Sequence, residues 1–455
     1  MSTRTSNVQE ALAAWIVGFD RSQVPARVRE AVVTALVNSV GTGIGGLTVD
    51  TAQNAVQYAH SNAAPGPASV IVDGARLAPG MAAFANGVIL NALGQEETHA
   101  ATATHPAETT VPIVLAMAEE LGSSGQEVVD ALLIGMQVTM GLGAMELMPT
   151  IRYEICQAPS VLGTVGAAAG AARLLGLDEP TTTHTLGLAA MFSAGLSESI
   201  VKGTGEYHYL KGFVGVHAHT AVQLAAAGAE AATSAFEGPG GFFRMFFGVD
   251  PDRLKAFDVA ADVVKQASTW SILDLVYKPY PANWFNMPFI DAAKHLREHE
   301  GVAADDIVSI DLAVNEFARR SGGLDGPPFT YRCNALASTQ FGVATMLATG
   351  RVTLRETVER NDPEVLRLCG ATTAVASAGM GNGRLVVRTG SGVHEVDLDD
   401  EPRDYRLGRR EITEQFERIV GEVLGPERAT HLLGLLEGID DLDDIGSITQ
   451  AWVGA

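Results

Sequence analysis

Runs of alanine and glycine constrain this chain most. AAAGAA at 167–172 and AVQLAAAGAEAA at 221–232 carry little side-chain bulk, and small residues let helices approach closely. Apolar residues recur at three- and four-residue spacing in Val8–Phe19, Val28–Val40 and Val128–Met140, the period of a helix with one buried face. The first 250 or so residues therefore predict a helical body with buried central helices. Asp178-Glu179-Pro180 predicts a helix start, with proline near the first turn. The longest apolar candidate, Val161–Leu177, contains Arg173 and misses the roughly 18 charge-free residues of a bilayer span, so it reads as a packed helix.

The pattern then changes. IVSIDLAVNEF (307–317) is β-branched and partly alternating, which predicts a strand. GRLVVRTGSGVHEVDLDD (383–400) has two β-rich arms around Thr389-Gly390-Ser391-Gly392, a hairpin pattern. ALASTQFGVATMLATG (335–350) reads as a helix ending at Gly350. ITEQFERIVGEVLG and ERATHLLGLLEGI, near the end of the chain, are helical again and are expected to return to the first body. The fold class is thus mainly α: a large helical domain from 1–267 with 405–455, and a smaller α+β domain from 268–404. The length of 455 residues allows both, and a cleft between two such units is a natural ligand site.

With 31 basic against 53 acidic residues, the formal charge is −22. That argues against nucleic acid or an anionic membrane as partner, and it does not identify the small-molecule substrate, since one basic pocket can sit inside an acidic shell. Cys156, Cys333 and Cys369 are odd in number and far apart, with no disulfide framework and no CxxC pair. The N-terminal MSTRTSNVQEALAAW lacks the apolar core of a secretory signal, so a cytoplasmic location is expected. There is no GxSxG, HExxH or Walker loop, and Gly238-Pro239-Gly240-Gly241 lacks the strand–turn–helix context of a dinucleotide loop.

Three clusters carry chemistry-capable groups. Gln95-Glu96-Glu97-Thr98-His99, followed by His105-Pro106, puts two carboxylates and two imidazoles within a short stretch. Imidazole is well matched to proton transfer near neutral pH, but on its own the stretch reads more readily as a solvated helix end ahead of VPIVLAMA. His208-Tyr209-Leu210-Lys211-Gly212, with His217 and His219 beyond, places Lys211 just ahead of an alanine-rich helix. A lysine there holds a carboxylate or loses its proton if desolvated, or is simply a cation on an outer turn. The two imidazoles at i, i+2 point apart on a helix, against a metal site. Tyr277-Lys278-Pro279-Tyr280-Pro281-Ala282-Asn283-Trp284-Phe285-Asn286-Met287 is a proline-punctuated aromatic segment that walls a pocket or packs between the two units.

Taken in order, these segments resemble the MmgE/PrpD family, which includes 2-methylcitrate dehydratase, cis-aconitate decarboxylase and an iminodisuccinate epimerase. The resemblance runs through ANGVILNALGQEETHAATATHPAETTVPIVLAMAEELG, APSVLGTVGAAAGAARLLGLDE, LKGFVGVHAHTAVQLAAAGAEAATSAFEGPGGFFRMF and YKPYPANWFNMPFIDAA. It implies a large helical domain with an α+β lid, homodimers, no metal or organic cofactor, and proton movement next to a carboxylate of a small polycarboxylate. Carried over by position, it implies His105 as general acid/base, Lys211 as anion holder or second acid, and Glu97 or His99 as orienting groups. Thr98, Thr164 and Lys278 would touch substrate, with Glu96-Glu97-Thr98-His99 standing where the family has Asp-Asp-Thr-His.

The departures are informative. Both aspartates are glutamates, each one methylene longer. The lid segment carries Trp284 and Met287 where the family has an arginine and a catalytic histidine, so one cleft wall is expected to be larger and more apolar. Three functions remain open on this basis: a divergent lyase or isomerase (of dehydratase, decarboxylase or epimerase type) acting on a substrate bulkier and less charged than methylcitrate; a cyclase of a natural-product, polyketide-like pathway in secondary metabolism that folds its substrate in an apolar cleft; and a non-catalytic ligand-binding protein.

Overall fold

The computed structural model describes residues 7–71, 73–377, 383–399 and 405–453. The chain ends, the expected domain limit at 404 and the hairpin's last residue, Asp400, lie outside the described residues.

The predicted helices form as Val8–Val17, Ala26–Gly45 and Gly125–Gly143. Asp178 caps the helix Glu179–Phe192, its side chain accepting from the Thr181 amide at 3.0 Å, with Pro180 in the first turn. The helices Pro106–Leu121, Gly125–Gly143 and Ala158–Leu174 are buried along most of their length, the last being the apolar run read as a packed helix. Glycines set how near these helices lie. A Cβ on Gly166 would fall 2.4 Å from the Gly135 carbonyl, and one on Gly212 would fall 2.5 Å from the Phe84 carbonyl. The second approach seats the helix Glu206–Ala226 directly on Pro79–Ala92. Among the described residues, no single helix is long and apolar enough to cross a membrane.

The smaller part holds a four-stranded sheet. Ile307–Val314 lies between Thr372–Ala376, parallel to it, and Arg384–Thr389, antiparallel to it; Val393–Asp397 completes the predicted hairpin at the edge. The helix expected over 335–350 is broken. Arg332–Ala337 stops at Ser338, whose extended backbone and side chain cap Thr339–Thr349, and the second helix ends at Gly350 in the left-handed region (φ 76°). A short hairpin, Pro65–Ser69 with Arg76–Leu77, interrupts the helical body where composition predicted only helices.

Two hydrophobic cores result. One gathers residues from Val8 to Tyr277 and again from Ile412 to Trp452, and the other runs from Ala282 to Leu398. Ile272, Leu275 and Tyr277 pack in the first core, so the change of core falls between Tyr277 and Ala282, not at 267/268. The cores are joined by Arg332, whose terminal nitrogens donate to the carbonyls of Ala92 (2.7 Å) and Leu93 (2.6 Å) at the end of Pro79–Ala92. A guanidinium there meets the negative end of the helix.

Candidate active site

A cleft of about 320 Å³ opens where the two cores meet. Thr98, Ala103 and His105 line it from the large core, Lys278 and Trp284 from the connecting segment, and Phe317 and Arg320 from the small core.

His105 is the residue before the helix Pro106–Leu121, at the end of a loop that starts at Gln95. Its Nδ1 lies 2.6 Å from the Glu97 carbonyl oxygen, an acceptor only, so Nδ1 carries the proton and Nε2 the lone pair. Nε2 stands 3.6 Å from Glu96 Oε1. Burial, opposed in part by the Glu96 charge, pushes the imidazole down to about 3, so it is neutral near pH 7 and the contact with Glu96 is not an ion pair. Glu96 itself is buried, which raises its pKa, but Lys278 Nζ at 2.5 Å holds it at about 2.

Glu97 orients His105 through its backbone carbonyl and not through its carboxylate. The carboxylate turns away and caps the helix Pro106–Leu121, Oε1 accepting from the amides of Ala107 (2.7 Å) and Glu108 (3.3 Å). Burial and the neighbouring Glu108 nevertheless raise it to about 7. His99 does not reach His105. Its Nδ1 is 2.7 Å from Thr102 Oγ1, and its backbone pairs with Thr104, so it ties the loop together. Thr98 bonds across to Val276 and its hydroxyl lies 3.3 Å from His105 Nδ1. The cluster read as possibly solvated is therefore buried.

Lys211 sits inside the helix Glu206–Ala226, in its second turn and not ahead of it. It is 2% exposed, and its Nζ lies 3.1 Å from Glu108 Oε1. Glu108 also accepts from Asn91 Nδ2 at 2.6 Å. Asn91 Oδ1 in turn takes the Nδ1 proton of His208, and His208 Nε2 faces Cys333 Sγ at 3.5 Å. Burial raises Glu108 to about 7, even though Lys211 lowers it; burial drives His208 down to about 3. Sequence reasoning missed Glu108 and Asn91. Asn91 is one of two asparagines on an otherwise apolar helix, and Glu108 is an acidic residue on a helix whose first three turns are buried; a polar side chain in such a setting was the available signal.

Two expected substrate contacts stand elsewhere. Thr164 is buried and its hydroxyl donates to the Ser160 carbonyl of its own helix at 2.8 Å. Met287 is 1% exposed, inside the small core, because it opens the helix Met287–His299 and points with Ile290 away from the cleft. Trp284 does line the cleft. Its ring centroid lies 5.7 Å from that of Phe317, which is 5.5 Å from Tyr153 and 6.0 Å from Phe285, so four rings make one wall. Arg320, on the five-residue helix Glu316–Arg320, brings a guanidinium to this wall from a segment that sequence reading had not connected to the site. His217 is ringed by Phe192 and Phe213. Among the described residues, no three histidine, cysteine or acidic side chains are grouped as metal ligands would be.

The chain is similar to human cis-aconitate decarboxylase, with 23% identity over 97% of this chain and 94% of the relative. The mouse cis-aconitate decarboxylase is 25% identical over 64% of this chain and 59% of its own length. The cis-aconitate decarboxylase-like protein oryM of Aspergillus oryzae is 26% identical over 44% of this chain and 43% of its own. Residues 10–255 match the model of the MmgE/PrpD N-terminal domain, and residues 280–440 match that of the C-terminal domain. The first match ends at 255 and the second begins at 280, on either side of Lys278, and together they take in residues from both walls of the cleft: the chain belongs to the MmgE/PrpD family.

Proposed function

We propose that this protein is an enzyme of the lyase type that moves a proton beside a carboxyl group, with His105 Nε2 as the base. Its substrate is bulkier and less charged than a small tricarboxylate. Family membership and relatives named cis-aconitate decarboxylase support the lyase class. The observation that carries the reading is His105: neutral, fixed through Nδ1, and presenting Nε2 on the cleft beside Glu96. Once Nε2 accepts a proton, the Glu96 carboxylate is in place to stabilise the imidazolium. The carbanion left on the substrate resolves by expelling hydroxide from the next carbon, which leaves as water with the proton that His105 took, or by taking a proton back on its other face; in a decarboxylase the order is reversed, carbon dioxide leaving with the electron pair kept on carbon and a protonated His105 returning a proton to that carbon. The aromatic wall around Phe317 supports an apolar substrate body, and it equally favours a second reading, a cyclase that works by folding its substrate.

The test is proton exchange. Candidate unsaturated and 2-substituted acids are incubated with the protein in deuterated water and followed by NMR. We expect deuterium beside the carboxyl group, or loss of water or carbon dioxide, slowed about 10²-fold or more in His105→Ala. A loss below about tenfold removes His105 from the mechanism. Turnover that survives His105→Ala but collapses in Trp284→Ala favours the cyclase.

A further inference from the structure

We infer that Glu108 and Glu96 occupy, on Lys211 and Lys278, the places that substrate carboxylates would otherwise take, and that the cleft accepts a monocarboxylate with an apolar body, its single charge met by Arg320. This rests on the reading above only in taking the cleft as the substrate site.

Both inner lysines already have a carboxyl partner from the chain. Lys211 faces Glu108 at 3.1 Å and Lys278 faces Glu96 at 2.5 Å, all four side chains being buried. A substrate carboxylate brought to either ammonium would meet a buried carboxylate of the same sign at close range. Glu108 is held in this place by Asn91 and by the helix it belongs to, so it does not swing aside without losing the 2.6 Å bond. Glu154, also on the cleft, adds a further negative group.

The opposite edge has positive charge to spare. Glu316 is gripped through two bonds of 2.6 Å by Arg319, and Arg320 reaches the same carboxylate through Nε alone at 2.9 Å. Two guanidiniums thus share one carboxylate, and the terminal nitrogens of Arg320 make no hydrogen bond to another described residue. A guanidinium with its fork unoccupied suits one carboxylate. Phe317, one helical turn before Arg320, centres the ring wall on which the rest of the molecule would lie.

Isothermal titration of the full chain tests this, with cis-aconitate as the polyanion and cinnamate and 2-decenoate as monocarboxylates. We expect the wild type to bind a monocarboxylate at least about tenfold tighter than cis-aconitate. Arg320→Ala should weaken the monocarboxylate about tenfold, and Glu108→Gln, which frees the Lys211 charge, should strengthen cis-aconitate by a similar factor. Equal or tighter binding of cis-aconitate by the wild type overturns the inference, as does binding of neither class. An unchanged cis-aconitate affinity in a folded Glu108→Gln protein also overturns it. If that variant does not fold, Glu96→Gln makes the same comparison at Lys278 and the wild-type preference still decides. A wild type that binds monocarboxylates but exchanges no proton sinks the proton-transfer reading and leaves this one standing.

Discussion

Replacing Glu97 by glutamine isolates one buried acid. In the folded protein its carboxyl group titrates at about 7 against an ordinary value of 4.5, because burial and Glu108 oppose its charge. The fold therefore holds that proton more tightly than the unfolded chain does. The stability associated with it is complete below pH 4.5 and is lost as the pH rises to about 7. At about 1.4 kcal/mol per pH unit, the gap between 4.5 and about 7 amounts to about 3 kcal/mol. The amide of the Glu97→Gln variant never ionises and keeps an oxygen to accept from the Ala107 backbone N–H. We expect this variant to lie within about 1 kcal/mol of the wild type at pH 4.5, since the swap then exchanges one neutral acceptor for another. By pH 8 it should have gained about 3 kcal/mol relative to the wild type. Easier ionisation of Glu108 once the Glu97 charge is gone adds to the gain with the same sign. Urea denaturation of both proteins across this range measures it, and taking the difference cancels the titrating groups that do not interact with Glu97. A difference that stays constant from pH 4.5 to 8 would refute the reasoning, because it would mean that Glu97 ionises as a solvated carboxylate does.

Lys211→Met strands Glu108 in a dry interior and should cost about 3–5 kcal/mol near pH 8, whereas Lys211→Met with Glu108→Leu should recover most of it; urea denaturation of the two variants checks the pair, and a single-variant cost under about 1 kcal/mol would contradict its burial. Gly212→Ala places a methyl group 2.5 Å from the Phe84 carbonyl and should destabilise by about 1–3 kcal/mol, read as a lowered thermal midpoint. Met287→Ala should cost about 2–5 kcal/mol of stability and leave ligand affinity alone, and Trp284→Ala should do the reverse; thermal unfolding together with ligand titration separates them.

The helical body was legible because its signals are local. Asp178 and Gly350 mark helix ends through their own backbone chemistry, and the Arg384–Asp397 hairpin through its turn. The break at Ser338 was hidden inside a continuous apolar stretch, since only the cap that its side chain makes to Phe341 reveals it. In the site, His105, Lys211 and Lys278 were readable as residues, but not the ion pairs that the two lysines make. Those depend on Glu108 and Glu96, whose effects come from burial and from contacts across 103 residues for Lys211 and 182 for Lys278. Met287 was expected on the wall because it falls where the resemblance puts a catalytic histidine; the helix that starts at Met287 seats its side chain in the small core instead. Phe317 and Arg320 came to the cleft from the small core with no local pattern to announce them.

The loop between Gln95 and His105 is closed at its base. Glu97 holds both the His105 ring and the Ala107 amide, Thr98 pairs with Val276, and His99 pairs with Thr104. Ala100 and Ala101 are exposed beyond that closure, and Ala103, in the left-handed region at φ 50°, faces the cleft. The ring of His105 and the cleft-facing Ala103 thus have separate supports within one short loop, so the lining at Ala103 can vary while the hold on the imidazole stays the same.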